Sequence, residues 1–363
     1  MARIKAAICR EHGQPMTIEE VELRAPSFGE VEIRVDAVAI CHSDISLWQG
    51  GFGGSLPAVY GHEAAGAVTA VGEGVKGFAV GDAAVVTVIR ACGACPSCGN
   101  GRPSSCEDPG DPAAGPIASP EGEPIWQGVF TGAFAEKVVV DQTQIAKIPS
   151  DMPKDAAALV ACGVITGVGA AVNTAQIRAG QDVVVIGAGG VGLNAIQGAR
   201  IAGARRIIAV DANAAKLEGA KEFGATDAIL ADGKPWVEVK KILGGRGADV
   251  VLVTVGVAKV YDMAPRYLAN GGKVVMVGMP HFGSNATYSP LLMAAAGQGL
   301  VGSSMGDVIV KRDIPWMVDL YAQGRLKLDE LITRRWSLEE INEAFADTMA
   351  GNARRNVIVL KHD

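Results

Sequence analysis

Long runs of lysine and arginine are absent from this sequence. The 33 basic and 39 acidic side chains are spread along 363 residues and give a formal net charge of −6. Proteins that follow a phosphate backbone usually carry clustered positive charge. We therefore expect no nucleic-acid partner.

An apolar stretch typical of a signal peptide is also missing from the first residues, where Met1–Ile8 alternates charged and apolar side chains. We therefore expect a cytoplasmic protein whose thiols stay reduced. One uncharged segment, 156–177, is 22 residues long, but it contains asparagine, glutamine, two threonines and three glycines. We interpret it as a buried helix and expect no membrane contact.

The chain is long enough for two domains, and hydrophobic residues make up 49% of it, which suits a sizeable core. No repeat or low-complexity array interrupts it. Up to about residue 150, short β-branched runs such as Val31–Val35 alternate with glycine-rich turns, which predicts a mainly β domain. The stretch 102–127 is rich in proline, glycine, serine and acidic residues, which predicts a long surface excursion.

After about residue 155 the pattern changes to alternating strands and helices. Apolar strand-like runs occur at 182–187, 206–211, 248–255 and 273–277. This pattern predicts a parallel sheet with helices on both faces.

Beyond residue 305 the pattern changes again, to two helices and a last strand. These elements are predicted at 314–324, 338–351 and 356–360. We expect this tail to return to the first domain. The predicted α/β fold thus has one domain at 1–163 and 305–363 and another at 164–304.

Four of the seven cysteines, Cys92, Cys95, Cys98 and Cys106, form a C-x2-C-x2-C-x7-C string in a Gly/Pro/Ser-rich segment. This spacing favours a closed tetrahedral zinc site that stabilises a loop with little core of its own. An iron–sulfur cluster, which usually has a shorter last gap, and ordinary loop cysteines are the alternatives. Cys9 has no partner motif and is interpreted as a small core residue.

A glycine motif, G-x-G-x-x-G, occurs at Gly187, Gly189 and Gly192, between a hydrophobic strand and a helix. In this context it indicates binding of a dinucleotide pyrophosphate at a helix N-terminus. Asp211 ends the next strand, where a carboxylate can accept hydrogen bonds from the adenosine ribose. No arginine follows it at Ala212 or Asn213, so we predict NAD rather than NADP.

Two further segments, Cys41-His42-Ser43-Asp44 and Gly61-His62-Glu63, contain chemically versatile side chains. From spacing alone, a buried thiol and a hydrogen-bonded histidine would be the favoured interpretation. Together with the cysteine string and the glycine motif, however, these segments resemble the zinc-containing alcohol dehydrogenases of the medium-chain dehydrogenase/reductase family. The resemblance extends over nearly the whole chain. It implies a GroES-like, mainly β catalytic domain and a Rossmann, doubly wound parallel-sheet coenzyme domain.

The resemblance implies that a catalytic zinc is held by Cys41, His62 and Cys162, with one position open for substrate. Glu63 matches an acidic neighbour that can exchange onto the metal, and Asp44 matches the residue that orients the liganding histidine. With the zinc of the cysteine string, two zinc ions per chain are expected.

The resemblance also assigns Ser43 to the removal of the alcohol proton, a task that suits a side chain that is both donor and acceptor. The family relay ends in a histidine, and that position holds Ser46 here. The final proton release is therefore expected to pass through water.

For NAD, the resemblance adds contacts on both domains. His42 and Arg355 match residues against the pyrophosphate, Lys216 matches a lysine near the adenosine ribose, and Thr166 matches a residue near the nicotinamide. The complete set of expected cofactor contacts is His42, Thr166, Gly187, Gly189, Gly190, Val191, Gly192, Asp211, Lys216, Val277, Met279 and Arg355.

The implied reaction is reversible hydride transfer between NAD and a primary or aromatic alcohol, or its aldehyde. This substrate class is expected because the matching pocket residues, Trp48, Val88, Trp126 and Val129, are mostly bulky and apolar. Two alternatives are an S-(hydroxymethyl)glutathione dehydrogenase, suggested by the length of the 113–127 loop, and a nicotinoprotein that retains its NAD. The resemblance further implies a homodimer or homotetramer, paired through an edge strand near 299–304.

Overall fold

The computed structural model describes residues 1–351 and 353–362. The chain divides into two compact units, Met1–Cys162 with Ile309–Asp363, and Gly163–Val308. The sequence analysis predicted the first domain boundary one residue later, after 163, and the second boundary four residues earlier, after 304. The tail from Ile309 onward belongs to the first unit.

The first unit is built mainly from short strands. In chain order these are β1 (Ala2–Cys9), β2 (Thr17–Leu23), β3 (Glu30–Ala39), β4 (Ala58–Val59), β5 (Ala64–Val71), β6 (Ala83–Val86), β7 (Ile117–Ala118), β8 (Pro124–Gln127), β9 (Lys137–Asp141) and β10 (Ile145–Lys147). Three short helices accompany them, α1 (His42–Trp48), α2 (Pro96–Gly99) and α3 (Lys154–Leu159). Strands β1, β2, β7, β8 and β4 close into a barrel.

The prediction that 102–127 is a long surface excursion is wrong at its end, where β7 and β8 form. β7 pairs with β2 and β8 pairs with β4, so the end of this stretch is part of the barrel wall. The two strands have two and four residues, too few for an apolar alternation to be recognised.

The second unit is a parallel sheet with helices between the strands. Its strands are β11 (Asp182–Ile186), β12 (Arg206–Asp211), β13 (Asp227–Leu230), β14 (Ala248–Val253), β15 (Leu268–Met276) and β16 (Gly299–Gly302). Its helices are α4 (Ile165–Gly169), α5 (Gly190–Ile201), α6 (Ala214–Glu222), α7 (Pro235–Ile242), α8 (Ala258–Met263) and α9 (Pro290–Ala296). The strand order β13-β12-β11-β14-β15-β16 is that of a doubly wound Rossmann sheet, with the order reversing beside β11.

The tail contributes α10 (Val310–Ala322), β17 (Ile332–Trp336), α11 (Ile341–Met349) and β18 (Arg355–Val359) to the first unit. β18 pairs antiparallel with β3 and parallel with β17. This completes a sheet of order β10-β6-β5-β3-β18-β17, with β9 also paired to β3. The last strand therefore lies directly beside the strand that leads to Cys41.

One helical segment, Lys154–Thr174, is long and apolar enough to cross a membrane by length and composition, but 89% of its most apolar window is buried within the fold. Such burial is typical of a core helix. The segment also includes two π-helical turns, Val160–Val164 and Ala170–Thr174. The sequence interpretation of a buried helix is confirmed.

Candidate active site

The first cluster of the candidate site lies where strands of the first unit end. Cys41 follows β3 and is the N-cap residue of α1, and His62 lies between β4 and β5. Gly61, just before the histidine, has φ +92°, and a Cβ there would come within 2.7 Å of the Phe134 backbone nitrogen. Only glycine lets this segment pass so close to its neighbour, and His62 is positioned as a result.

Cys162 reaches the same cluster from the helical segment. It lies in the π-helical turn Val160–Val164, a local widening of a helix that often occurs at functional sites. One ligand atom from each of Cys41, His62, Glu63 and Cys162 lies within 4.8 Å of the others. The structure therefore brings the three predicted zinc ligands and the predicted acidic neighbour together.

Asp44 holds this cluster in place. Its Oδ1 lies 2.9 Å from His62 Nδ1 and accepts the Gly61 N–H at 3.1 Å, while its Oδ2 accepts the Cys41 N–H at 3.0 Å. The carboxylate is fully buried. Because Nδ1 is engaged by Asp44, Nε2 is the ring nitrogen left for a metal ion, and its basicity is raised.

The charges of the cluster depend on one another. A hydrogen bond from Cys162, supported by His62, lowers the pKa of the Cys41 thiol well below its ordinary value against the effect of burial. Burial alone lowers the pKa of His62, but Asp44 and Cys41 together raise it well above its ordinary value. The two shifts favour a Cys41 thiolate beside a His62 imidazolium, and a divalent cation bound to the deprotonated ligands would take the place of the imidazolium charge.

Glu63 forms a buried ion pair with Arg355, the first residue of β18. Burial raises the pKa of Glu63 although Arg355 opposes the shift. Glu63 Oε2 accepts the hydrogen bond from Arg355 Nη2, whereas Oε1 is buried and accepts no hydrogen bond from the residues that the structure describes. One oxygen of Glu63 is therefore held by the arginine and the other is available to the cluster.

The predicted proton acceptor, Ser43, lies beside this cluster. Its Oγ is 3.7 Å from Cys41 Sγ, and the side chain is in the first turn of α1. His42 begins the same helix and is exposed, and Ser46 is half-buried on it. The short helix α1 thus presents Cys41, Ser43 and Asp44 from one turn of chain.

The second cluster is the four-cysteine string. The sulfurs of Cys92, Cys95, Cys98 and Cys106 lie within 4.8 Å of one another on an exposed to half-buried loop. Backbone N–H groups point at them: Cys92 Sγ accepts from Ala94 and Cys95 at 3.4 and 3.3 Å, and Cys106 Sγ accepts from Cys92 at 3.3 Å. Backbone hydrogen bonds from Glu107 and Cys98 lower the pKa of Cys95 to about 6. Burial and the neighbouring thiols raise the pKa of Cys98 to about 12, so the backbone of the loop stabilises a thiolate at Cys95 first.

The glycine motif of the second unit forms a turn between β11 and α5. Gly187 has φ +101°, and a Cβ on Gly192 would lie 1.8 Å from the Gly187 carbonyl oxygen. Both positions thus require glycine for internal reasons. At Gly189 a Cβ would meet no atom within 4 Å among the described residues. Packing of the protein therefore does not require glycine at position 189. The absence of a side chain there instead leaves room for a pyrophosphate to approach the backbone closely.

Gly189 is also the N-cap of the twelve-residue helix α5, whose first two residues are Gly190 and Val191. The first N–H groups of a helix are free of intrahelical partners and attract anions. Asp211, at the end of β12, accepts the Ala188 N–H at 2.7 Å through Oδ2 and the Asn213 N–H at 2.8 Å through Oδ1. The predicted ribose carboxylate therefore lies directly against the predicted phosphate turn.

The remaining predicted cofactor residues of the second unit are spread over other elements. Lys216 is half-buried in α6, and Val277 and Met279 follow β15, with Met279 largely exposed. Thr166 is buried in α4, and its Oγ1 lies 3.8 Å from Met305 Sδ. Their roles toward NAD stay predictions.

Comparison with known proteins matches both parts of the chain to families. Residues 27–150 match the alcohol dehydrogenase GroES-like domain, and residues 190–323 match the zinc-binding dehydrogenase domain. The chain is 37% identical to the NDMA-dependent alcohol dehydrogenase of Amycolatopsis methanolica, over 99% of this chain and 100% of that protein. This chain belongs to the zinc-type alcohol dehydrogenases of the medium-chain family. The predicted family and fold class are confirmed.

Solved structures agree with this family assignment. An alcohol dehydrogenase zinc-binding domain protein from Burkholderia ambifaria has a TM-score of 0.95 and 34% identity, covering 99% of this dehydrogenase and 100% of that chain. Benzyl alcohol dehydrogenase from Acinetobacter calcoaceticus has a TM-score of 0.94 and 30% identity, with the same coverage. The dehydrogenase is therefore an oxidoreductase of the alcohol dehydrogenase type.

Both cysteine clusters of the dehydrogenase fit zinc. Zinc–ligand bonds of about 2.0–2.3 Å require ligand atoms only a few ångströms apart, and both sets satisfy this. The exposed cluster offers four sulfurs, as closed structural sites do. The buried cluster offers two sulfurs, one imidazole and a carboxylate oxygen without a hydrogen-bond partner among the described residues. The two sulfurs and the imidazole match the three-ligand set of a catalytic zinc site that keeps a fourth position open, and the Glu63 oxygen is a further donor beside them.

Sequence reasoning missed two features of the dehydrogenase. Arg355 was expected against the pyrophosphate, and its pairing with Glu63 was not foreseen because 292 residues separate the two. Thr254, just beyond β14, donates its hydroxyl to the carbonyls of Ile186 and Gly187, both at 3.0 Å. A threonine after an apolar strand gives no sequence signal of such a contact.

Proposed function

We propose that this dehydrogenase is zinc-dependent and uses NAD, taking a hydride from a primary or aromatic alcohol to give the aldehyde, NADH and a proton, or the reverse. The observation that carries the proposal is the convergence of Cys41, His62 and Cys162, with their ligand atoms within 4.8 Å in a buried site. The glycine turn and Asp211 support the second part of the proposal, the binding of NAD.

In this proposal Cys41, His62 and Cys162 hold the catalytic zinc. A zinc ion bound there supplies Lewis acidity, which favours loss of the alcohol proton or polarises the aldehyde carbonyl. Asp44 keeps the imidazole of His62 in one tautomer and one orientation through the 2.9 Å contact to Nδ1. Two thiolates among the ligands offset the charge of the ion.

Ser43 is the residue proposed to take the alcohol proton. A hydroxyl can accept one proton while donating its own, so it can pass the proton onward without carrying charge itself. Its position 3.7 Å from Cys41 Sγ supports this role. Because Ser46 occupies the position of the family's terminal histidine, we propose that water receives the proton.

Glu63 is proposed as a carboxylate that approaches the metal without being a permanent ligand. Its Oε2 is held by Arg355, and its buried Oε1 has no hydrogen-bond donor among the described residues. Such a half-engaged carboxylate can exchange onto a metal when another ligand leaves. The guanidinium offsets its charge in the buried setting.

For NAD, the proposed site is the turn Gly187–Gly192 with the N-terminus of α5 against the pyrophosphate. Asp211 faces the ribose side of the turn, where a 2′-phosphate would meet a like charge. Ala212 and Asn213, both exposed, offer no cation to such a phosphate. These features favour NAD over NADP.

The substrate class rests on apolar side chains of the first unit. Trp48, Trp126 and Val129 are partly buried and pack against its core. The chain's likeness to a solved benzyl alcohol dehydrogenase adds support for an aromatic alcohol. A polyol would require more hydrogen-bonding side chains than this set provides.

The first test is metal content combined with NADH formation on one preparation. We expect about two zinc ions per chain, as one structural and one catalytic site require, and NADH formation with benzyl alcohol above that with sorbitol. S-(hydroxymethyl)glutathione belongs in the same panel, since saturation at low concentration would favour the glutathione-linked alternative. A protein with zinc but without NADH formation from any alcohol contradicts the proposal.

A second candidate function is favoured by one comparison. A relative that is 37% identical is described as NDMA-dependent, which names a dependence other than NAD. In a nicotinoprotein, NAD stays bound and electrons leave to a second carrier. NAD released only on denaturation, together with alcohol oxidation that needs added NDMA, would establish this alternative over free exchange of NAD.

We also propose that the dehydrogenase is a cytoplasmic homodimer or homotetramer. Strand β16 is the edge of its sheet, and large apolar side chains are exposed in the second unit, among them Phe282, Leu291 and Leu292. An edge strand and exposed apolar side chains are each typical of an interface. Light scattering coupled to gel filtration measures the subunit number, and a monomer would contradict the proposal.

A further inference from the structure

Thr254 lies just beyond β14 and holds the glycine turn through its side chain. Its Oγ1–H is shared between the carbonyls of Ile186 and Gly187, at 3.0 Å each, and its own N–H donates to Ile186 at 2.9 Å. A threonine hydroxyl has one proton, so this proton is fully engaged by the turn. Thr254 therefore acts on the turn and has no hydrogen to donate to a ligand.

The Gly187 carbonyl lies where the glycine motif is closely packed. Gly187 turns the chain with φ +101°, and a Cβ there would lie 2.7 Å from Thr254 Oγ1. A Cβ on Gly192 would lie 1.8 Å from the Gly187 oxygen and 2.9 Å from Thr254 Oγ1. Gly187 just after β11, Gly192 in α5 and Thr254 just after β14 thus meet at one carbonyl, which fixes where α5 begins.

The opposite side of the turn is held by Asp211. Its Oδ2 accepts the Ala188 N–H at 2.7 Å. In the sheet, β12 and β14 are the two neighbours of β11, so the turn after β11 is held from both flanking strands. Thr254 donates to the Gly187 carbonyl, and Asp211 accepts from the Ala188 N–H. Together the two side chains set the direction of the peptide groups that follow Gly187.

We propose that Thr254 is a positioning residue for the pyrophosphate of a dinucleotide. By holding the Gly187 carbonyl, it directs the succeeding N–H groups and the N-terminus of α5 toward the phosphates before the ligand arrives. A turn that is already ordered loses less conformational entropy on binding. The inference rests on the proposed use of NAD.

The test compares Thr254→Val, which keeps the shape and removes the donor, with Thr254→Ser, which keeps the donor. The matched control is Thr226→Val. Thr226 Oγ1 also contacts a backbone carbonyl of the same sheet, that of Ile207 at 3.2 Å, but lies outside the turn. Dissociation constants are measured for ADP-ribose, which carries the pyrophosphate, and for adenosine, which lacks it, by competition against NADH fluorescence after removal of any copurified nucleotide.

We expect Thr254→Val to weaken ADP-ribose binding by roughly 5- to 30-fold, the range that corresponds to loss of a buried hydrogen bond. Adenosine binding should be unchanged, Thr254→Ser should restore ADP-ribose binding, and Thr226→Val should match the parent protein for both ligands. Equal weakening of adenosine and ADP-ribose would indicate general disruption of the unit and overturn the positioning role. Parent-like ADP-ribose binding by Thr254→Val would overturn it as well.

The proposed cofactor can fail separately. If the parent protein binds neither ADP-ribose nor NADH, the use of NAD is wrong and the role of Thr254 falls with it. If the parent binds both ligands and Thr254→Val is unaffected, only the positioning role is lost. Melting temperatures of all four proteins, measured alongside, separate a loss of affinity from a loss of folding.

Discussion

The two cysteine clusters of this dehydrogenase are assembled in opposite ways. Cys92, Cys95, Cys98 and Cys106 come from one exposed to half-buried loop, whereas the cluster of Cys41, His62, Glu63 and Cys162 is gathered from three separate segments and is mostly buried. The loop cluster is organised by its own backbone N–H groups, and the buried cluster by Asp44 and the Glu63–Arg355 pair. A local cluster can stabilise a loop, while a site assembled by the fold can position a reacting group.

The largest effect is expected from Cys41→Ser and Cys162→Ser. Each removes a thiolate from the proposed zinc site, and with it the Lewis acidity that a zinc ion there would supply, which is worth several kcal/mol, so kcat/KM should fall about 10³-fold or more. Serine is similar in size, so circular dichroism should stay that of the parent protein. Zinc content should drop from about two to about one per chain. Full turnover by either variant would contradict the assignment of the buried cluster to catalysis.

Ser43→Ala should have the next largest effect. Without the hydroxyl, the alcohol proton loses its acceptor, and kcat for alcohol oxidation should fall about 100-fold. Ser43→Thr retains a hydroxyl and should recover most of the rate. Zinc content should be unchanged in both variants, since Ser43 is not a ligand. A Ser43→Ala enzyme as fast as the parent would show that the proton leaves by another route.

Asp44→Asn tests whether metal binding by the buried cluster depends on a residue that contacts a ligand, His62, without being a ligand itself. Asparagine keeps one oxygen acceptor but loses the charge that faces His62, so metal affinity or turnover should fall about 10- to 100-fold. The measurement is zinc retention against a competing chelator, followed by kcat/KM at saturating zinc. If neither changes, the 2.9 Å contact to His62 is structural only.

Cys98→Ser tests the loop cluster in the same way. We expect loss of one zinc per chain and a melting temperature lower by about 5 °C or more, because the metal stabilises a loop with little core. Turnover well below the melting temperature should stay close to that of the parent. A variant that melts normally but loses turnover would reverse the proposed division between a structural and a catalytic site.

The same contrast explains what could be predicted from the sequence. The cysteine string and the glycine motif were recognised from spacing, because their residues are neighbours along the chain. Cys41, His62 and Cys162 were identified only through the family resemblance, since spacing alone favours a buried thiol and a satisfied histidine. The α/β fold class was predicted from the change in the sequence pattern near residue 155, where alternating strands and helices begin.

What escaped prediction depends on contacts between distant segments. The pairing of Glu63 with Arg355 arises because β18 lies beside β3, and the hold of Thr254 on Gly187 arises because β14 lies beside β11. Strands β7 and β8 escaped because they are too short to show a pattern. Neither strand order nor such short pairings leave a periodic trace in the sequence.

The glycine turn is a local motif, like the loop cluster, but it also depends on a distant residue, Asp211, which accepts the Ala188 N–H. Asp211→Asn removes the charge that would repel a 2′-phosphate, so the ratio of kcat/KM for NAD over NADP should fall about tenfold, equivalent to about 1.4 kcal/mol. Asp211→Gly should lower the ratio too. Because it also removes the acceptors for the Ala188 and Asn213 N–H groups, it should weaken binding of both cofactors. An unchanged ratio in both variants would mean that Asp211 only holds the turn.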